Sequence, residues 1–260
     1  MDKSKIEHYG DELYNALITR TPVAPLTDRE ADITIEDAYQ IQQRMIQRRL
    51  DAGETIIGKK IGVTSKVVMD MLKVNQPDFG MMTSGMVFNE GEAIVASSMI
   101  APRAEAEVAF VLKRDLMGPG VTAADVLRAT DCVVPCFEIV DSRIKDWKIK
   151  IQDTVADNAS CGVLTLGGTR RSPRDLDLAL AGMVLEKNGE VISTSTGAAV
   201  QGSPVNAVAW LANTLGRLGI GLKAGEVILS GSQSPLVPVK AGDSLVCSVG
   251  GLGSTSVRFI

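Results

Sequence analysis

Histidine is almost missing from this 260-residue sequence: His8 is the only one, in a polar N-terminal stretch that reads as a solvated helix. That scarcity removes histidine-based catalytic triads and multi-histidine metal sites. The four cysteines, at 132, 136, 161 and 247, have none of the paired spacing of a zinc site. Cys132 and Cys136 fall in apolar, strand-like sequence, where a buried free thiol is the ordinary outcome. A nucleophilic cysteine would lack its usual base. There is no Lys/Arg run, and the net charge of -4 leaves no basic footprint for nucleic acid or an anionic membrane. No 18 apolar residues run together, so no spanning helix is expected. The start, Met1 to His8, is too polar for the apolar core of a secretory signal. A reduced, cytoplasmic chain is the expectation, and its chemistry falls to carboxylates, lysine, hydroxyls and a hard metal.

What is present is an ordinary globular balance, 45% apolar and 22% charged residues. The length allows one large domain or two small ones. The expected arrangement is a single catalytic domain over 1–260, with a helical portion 1–55 packed on a β-rich core 56–260. Ile6, Tyr9, Leu13, Ala16 and Leu17 recur at helical spacing until Pro22 and Pro25 intervene. Thr34, with Asp37 three residues on, resembles a capping box. Residues 56–64 read as a strand and 66–72 as a short helix. Strand signals dominate from residue 86 onward, among them 104–113, 132–140 and 159–166, with helices at 122–129 and 204–218. Asn188-Gly189 between apolar runs predicts a hairpin. The class predicted is α+β, built on a closed or nearly closed mixed sheet.

Within that frame, Arg103-Ala104-Glu105-Ala106-Glu107-Val108-Ala109-Phe110-Val111-Leu112 carries the strongest chemical signal. Side chains alternate on a strand, so Glu105 and Glu107 share one face with Ala109 and Val111. Two adjacent carboxylates leading into an apolar run repel and lose hydration unless a cation lies between them. The alternative is an edge strand whose solvent face begins with two glutamates. Glu138, in Val133-Val134-Pro135-Cys136-Phe137-Glu138-Ile139-Val140, is a second misplaced acid. Three carboxylates from two apolar strands suit a hard, oxygen-ligated ion such as Mg²⁺.

Other stretches are less specific. In Gly58-Lys59-Lys60-Ile61-Gly62-Val63-Thr64, alternation puts Lys60 on a face of small residues open to a ligand, and Lys59 with Ile57 and Ile61; two solvated lysines at a strand edge is the plain alternative. Gln76-Pro77-Asp78-Phe79-Gly80 reads as a turn with Asp78 as its former. Asp153 to Gly162 could line a pocket with Asn158 and Ser160 or form only an Asx-turn. Leu229-Ser230-Gly231-Ser232-Gln233-Ser234-Pro235 follows a strand, and its backbone N–H groups could cradle a carboxylate.

These motifs, together with Glu138-Ile139-Val140-Asp141-Ser142-Arg143 and Thr154-Val155-Ala156-Asp157-Asn158-Ala159-Ser160, occur in the order seen in the fumarylacetoacetate-hydrolase-related superfamily. The chain resembles its hydratase/decarboxylase branch from Asp37-Ala38-Tyr39 to Gly253-Ser254. Ala104 departs from the β-branched residue common in relatives, on the face away from the carboxylates. The resemblance implies a mixed β-sheet or β-barrel core, and Mg²⁺ or Mn²⁺ on Glu105, Glu107 and Glu138. It implies acid–base work near Lys60 and Asp78, with Asn158 and Ser160 orienting substrate. The reaction implied is addition of water to a 2-hydroxy-2,4-dienoate in meta-cleavage of aromatic compounds. Ile144-Lys145-Asp146-Trp147 is more like the hydratases. The rivals are decarboxylation of 2-oxo-3-hexenedioate, or a non-catalytic partner of that decarboxylase. Hydrolysis of a C–C bond would call for a His–Glu pair that the chain lacks. Relatives are commonly homo-oligomers.

Overall fold

A computed structural model describes the backbone of residues 1–260 and every side chain except those of residues 67, 71 and 72. The helices are α1 (Lys3–Thr19), α2 (Leu26–Arg29), α3 (Ile35–Asp51), α4 (Lys66–Leu72), α5 (Ala123–Ala129), α6 (Ile151–Ala156) and α7 (Pro204–Gly216). The strands are β1 (Ile56–Gly62), β2 (Asp78–Thr83), β3 (Val87–Phe88), β4 (Ala93–Ile94), β5 (Arg103–Leu112), β6 (Thr130–Val140), β7 (Cys161–Leu166), β8 (Gly182–Lys187), β9 (Glu190–Thr196), β10 (Val227–Leu229), β11 (Val237–Pro238), β12 (Ser244–Val249) and β13 (Gly253–Phe259). They form two mixed sheets, ordered β2-β1-β10-β5-β6-β7-β3, with β11 beside β5, and β4-β13-β12-β8-β9.

Several local signals act as the sequence predicts. Thr34 and Asp37 exchange hydrogen bonds as a capping box at the start of α3. Asn188 and Gly189 both take positive φ, 55° and 85°, in the β8–β9 hairpin, the turn that matches the strands' twist. All four cysteines are buried free thiols.

Beyond these, strand alternation divides the large sheet into two functional faces. Even-numbered residues of β5, from Ala104 to Leu112, enter the main core with Phe137 and Ile139 of β6, Leu245 and Phe259 of the second sheet, and Val208 and Leu211 of α7. Odd-numbered residues face the other way, where Ala109 joins Cys136, Leu164 and Leu229 in a smaller cluster. α1 and α3 pack against Ile144 and, on α6, Val155 and Ala156. The Gln42 side-chain amide donates to Phe79 O at 2.9 Å and Val155 O at 3.0 Å, tying α3 to β2 and α6.

Two sequence expectations are corrected. Residues 76–80 are not simply a turn: Asp78 begins β2, antiparallel to β1 and opposite Gly62. Pairing along β1 overrides the turn-forming composition. The strand expected from Ala159 starts instead at Cys161, because Asn158, Ala159 and Ser160 all have positive φ.

Candidate metal centre and active-site cavity

β5 is an interior strand between β10 and β6, so the edge-strand explanation of its glutamates fails. Antiparallel register sets Glu105 opposite Glu138 and Glu107 opposite Cys136. Since all these positions lie on the odd face of β5 or its partner face on β6, the three acids converge. Glu105, Glu107 and Glu138 each present a carboxylate oxygen within 4.8 Å of the others. Glu107 and Glu138 are buried, at 1% and 0% exposure. Glu107 Oε2 accepts a 2.8 Å bond from Gly231 N–H, but its Oε1 and Glu138 Oε2 have no hydrogen-bond donor among the described residues, and Glu138 Oε1 faces the Lys60 ammonium at 3.3 Å. Burial pushes all three carboxyls up: Glu105 to about 7 against the pull of Lys60, and Glu107 well above its usual range with Glu138 and Glu105 adding to the effect. Orphaned oxygens in a cluster of acids are what a hard divalent cation would complete. The Gly231 contact also answers the expectation for the 229–235 segment: its backbone does cradle a carboxylate, the protein's own Glu107.

Lys60 and Lys59 part as alternation predicts, yet both are buried, because β1 lies between β2 and β10. Lys59 pairs with Glu226 at 2.6 Å, away from the acids. Lys60 Nζ lies 3.3 Å from Glu138 Oε1 and donates to Ala159 O at 2.9 Å. Burial works to lower its pKa, but Glu138, Glu105 and Asp78 outweigh that and keep the ammonium protonated. Asp78 is 2% exposed, and neither of its side-chain oxygens has a hydrogen-bond partner among the described residues. Burial raises it to about 6, with Lys60 opposing.

Asp78 also explains Gly62, over which its carboxyl rests: a Cβ there would lie 2.2 Å from Asp78 Oδ1. Gly62→Ala is therefore expected to displace that carboxyl and lower kcat by about 10²-fold. Metal affinity should stay unchanged, as measured by manganese titration beside steady-state kinetics.

A cavity of about 570 Å³ joins these groups; Lys60, Asp78, Glu105 and Ser160 line it. Asn158 is not among its lining residues. Its side chain accepts from Met81 N at 2.8 Å and donates to Met81 O at 2.9 Å, like a short piece of added strand. It holds the 158–160 segment to β2 instead of reaching the cavity. Ser160 does reach it, with its hydroxyl 3.3 Å from that of Thr154. Four non-glycine residues with positive φ line the same space: Val63 (56°), Trp147 (55°), Ala159 (50°) and Ser160 (54°). Such backbone costs on the order of 1–3 kcal/mol per residue and gathers where function imposes it. Trp147, Thr154 and Arg103 are cavity residues that sequence reasoning passed over. Only the position of Arg103, two before Glu105 on one strand face, could have signalled its place.

Comparison with known proteins adds to this geometry. The chain is 65% identical over 221 residues to a 2-hydroxypent-2,4-dienoate hydratase of Pseudomonas putida, covering 85% of this chain and 100% of that one. It is 58% identical to a 2-hydroxyhexa-2,4-dienoate hydratase of Comamonas testosteroni, covering 99% and 98%. Among solved structures, a 4-oxalocrotonate decarboxylase from Pseudomonas putida G7, complexed with magnesium and adipate, superposes with a TM-score of 0.97 at 36% identity, over 100% of this chain and 99% of that one. The model of the fumarylacetoacetate (FAA) hydrolase C-terminal family matches residues 59–260, the span that contains all three acids, Lys60 and Asp78, and the chain belongs to that family.

Proposed function

We propose that the chain is a divalent-metal-dependent hydratase that adds water to 2-hydroxypenta-2,4-dienoate, giving 4-hydroxy-2-oxopentanoate in the meta-cleavage breakdown of aromatic compounds. The observation that carries this reading is the three-glutamate cluster, with orphaned oxygens, of which Glu105 lines a cavity that Lys60 and Asp78 also line. Identity of 65% and 58% to hydratases, against 36% to the decarboxylase, favours water addition over loss of carbon dioxide.

Glu105, Glu107 and Glu138 would hold Mg²⁺ or Mn²⁺, which supplies Lewis acidity to the carboxylate and 2-oxygen of the substrate. The remaining work is proton transfer and positioning. Lys60, kept charged by its acidic neighbours, is the group suited to pass a proton to the far carbon and to regain one from the 2-hydroxyl as the dienol becomes the ketone. Asp78, titrating near 6, is suited to take a proton from the water that adds at C4 and to return it to C3 of the enolate so formed. Ser160 offers a hydroxyl to the substrate. Asn158 acts one step removed, by fixing the segment whose Ala159 carbonyl orients Lys60.

An ultraviolet assay on freshly generated 2-hydroxypenta-2,4-dienoate, beside the six-carbon diacid and with or without chelator, tests the whole reading. Metal-dependent loss of the dienol band with a hydrated product and no carbon dioxide is the expected result. Carbon dioxide release from the diacid alone would assign the decarboxylase reaction instead. Lys60→Ala is expected to lower kcat by about 10²–10⁴-fold while metal binding persists; full activity in that variant would make Lys60 a bystander. A cytoplasmic homo-oligomer, able to associate with a partner decarboxylase, belongs to the same proposal and is read by light scattering with and without that partner.

A further inference from the structure

We infer that a second cavity, on the Tyr39 side of Asp78, is the route by which water reaches the Asp78 carboxylate while the organic substrate occupies the first. This rests on the reading of the chain as a hydratase in which Asp78 takes a proton from water.

The second cavity has a volume of about 520 Å³, and Tyr39, Asn75, Gln76, Asp78 and Val155 are among its walls. Of the described residues, Asp78 alone lines both cavities, so it is the wall that they share. Asn75 and Gln76 are exposed, whereas Asp78 and Val155 are buried, so the cavity leads inward from solvent to Asp78. There, neither carboxylate oxygen has a hydrogen-bond partner among the described residues. Buried acceptors without protein donors are the groups that ordered water completes. A space of that size has room for on the order of ten waters, and its polar side chains offer them partners.

The wall beside Asp78 is braced from α3. Tyr39 stacks on Phe79 with ring centres 4.3 Å apart, and Gln42, three residues on, donates to Phe79 O at 2.9 Å. Burial, with the Asp78 charge adding to it, holds the Tyr39 phenol well above its usual range, so Tyr39 is a neutral hydroxyl able to bond water. Hydration gives such a route its use, because the reaction consumes two molecules. Water sharing the substrate's cavity would have to enter before the dienoate or pass beside it. A water held by Asp78 from the second cavity needs neither, and it already stands at the boundary of the first.

A crystal structure of the Mn²⁺-loaded chain with 2-oxopentanoate, a saturated analogue with no double bond to take up water, tests the route directly. Ordered waters are expected in the second cavity, the innermost within about 3.2 Å of an Asp78 oxygen. A dry second cavity, or waters that reach Asp78 only from the substrate's side, would overturn the inference. Ile35→Trp and Asn75→Trp supply a kinetic test by filling the cavity from two different segments. Each is expected to lower kcat for hydration about tenfold with KM unchanged. Mn²⁺ affinity should hold, and crystal structures of the variants should show the Asp78 carboxyl still over Gly62. Unchanged kcat in the folded variants would overturn the inference, and so would a loss found only where Asp78 is displaced. Ordered waters on Asp78 in a protein that forms no hydrated product would keep the route and sink the hydratase reading.

Discussion

Glu105→Gln combined with Glu107→Gln is expected to abolish metal-dependent turnover and, at the same time, to raise the melting temperature of the chelator-treated protein. Loss of the ligand set removes several kcal/mol of charge stabilisation. At 1.36 kcal/mol per factor of ten, that is a fall in kcat of about 10³-fold or more. The opposite effect on stability follows from the same burial. Without a cation, the folded protein keeps three mutually repelling carboxyls out of water, and burial raises Glu105 to about 7 and Glu107 higher still. A carboxyl whose folded pKa lies above its unfolded value of about 4.3 stabilises the fold fully only below that value, and the contribution is lost as pH rises through the folded pKa. The metal-free protein should therefore lose stability between about pH 4.5 and 7, and Mn²⁺ should restore it. Thermal melts at pH 5, 6, 7 and 8, with chelator and with Mn²⁺, read both effects. The glutamine pair should flatten the pH dependence and remove the response to Mn²⁺. Turnover that remained metal-dependent in the double variant would refute the assignment of the centre.

The largest effect on folding is expected at Arg143, which has no exposed surface and pairs with the equally buried Asp157. Its backbone N–H donates to Asp157 Oδ2 at 2.9 Å, and its guanidinium reaches Cys161 O at 3.0 Å and Asp157 O at 2.5 Å. Arg143→Leu strands a buried carboxylate and two carbonyls, at a cost of about 3–5 kcal/mol. For a chain of this size that is a drop in Tm of about 10 °C. Asp157→Asn added to Arg143→Leu should recover part of the loss, because the unpaired charge goes with it. The pair also clamps the residues on either side of the left-handed run at 158–160, which supplies the Ala159 carbonyl to Lys60. Activity measured well below Tm is accordingly expected to fall further than the folded fraction. Denaturant melts and kcat on the same samples separate the two losses; equal stability of the single variant and the parent would overturn the argument.

How much of this was readable from sequence depended on whether the signal was local. Glu105, Glu107 and Glu138 announced themselves because strand period is two and acids are out of place in apolar strands. The Thr34–Asp37 cap and the Asn188-Gly189 turn were equally local. Lys60 was placed on the correct face by alternation, but its burial was not, since that depends on β10 and β2 flanking β1 from 169 and about 20 residues away. Asp78 was obscured by Pro77 and Gly80, whose turn-forming character gives way to pairing with β1. Asn158 looked like a pocket donor until Met81, 77 residues distant, took both ends of its amide. The left-handed backbone at Val63 and Trp147 had no signature, because β-branched and aromatic residues disfavour it. Only the assembled fold holds them there.

The two-faced character of β5 constrains how such a protein can diverge. A one-residue insertion within Arg103–Leu112 would turn every side chain beyond it to the opposite face, sending carboxylates into the main core and Val108 or Phe110 into the metal centre. Other parts of the cavity lining are under no such rule. Trp147, Ile149, Pro235 and Leu236 stand on connecting segments outside the paired strands, which accept insertions and exchanges at small thermodynamic cost. Lineages built on this scaffold are free to acquire new substrate tails by remodelling those connections, while the strand that gathers the acids keeps its length.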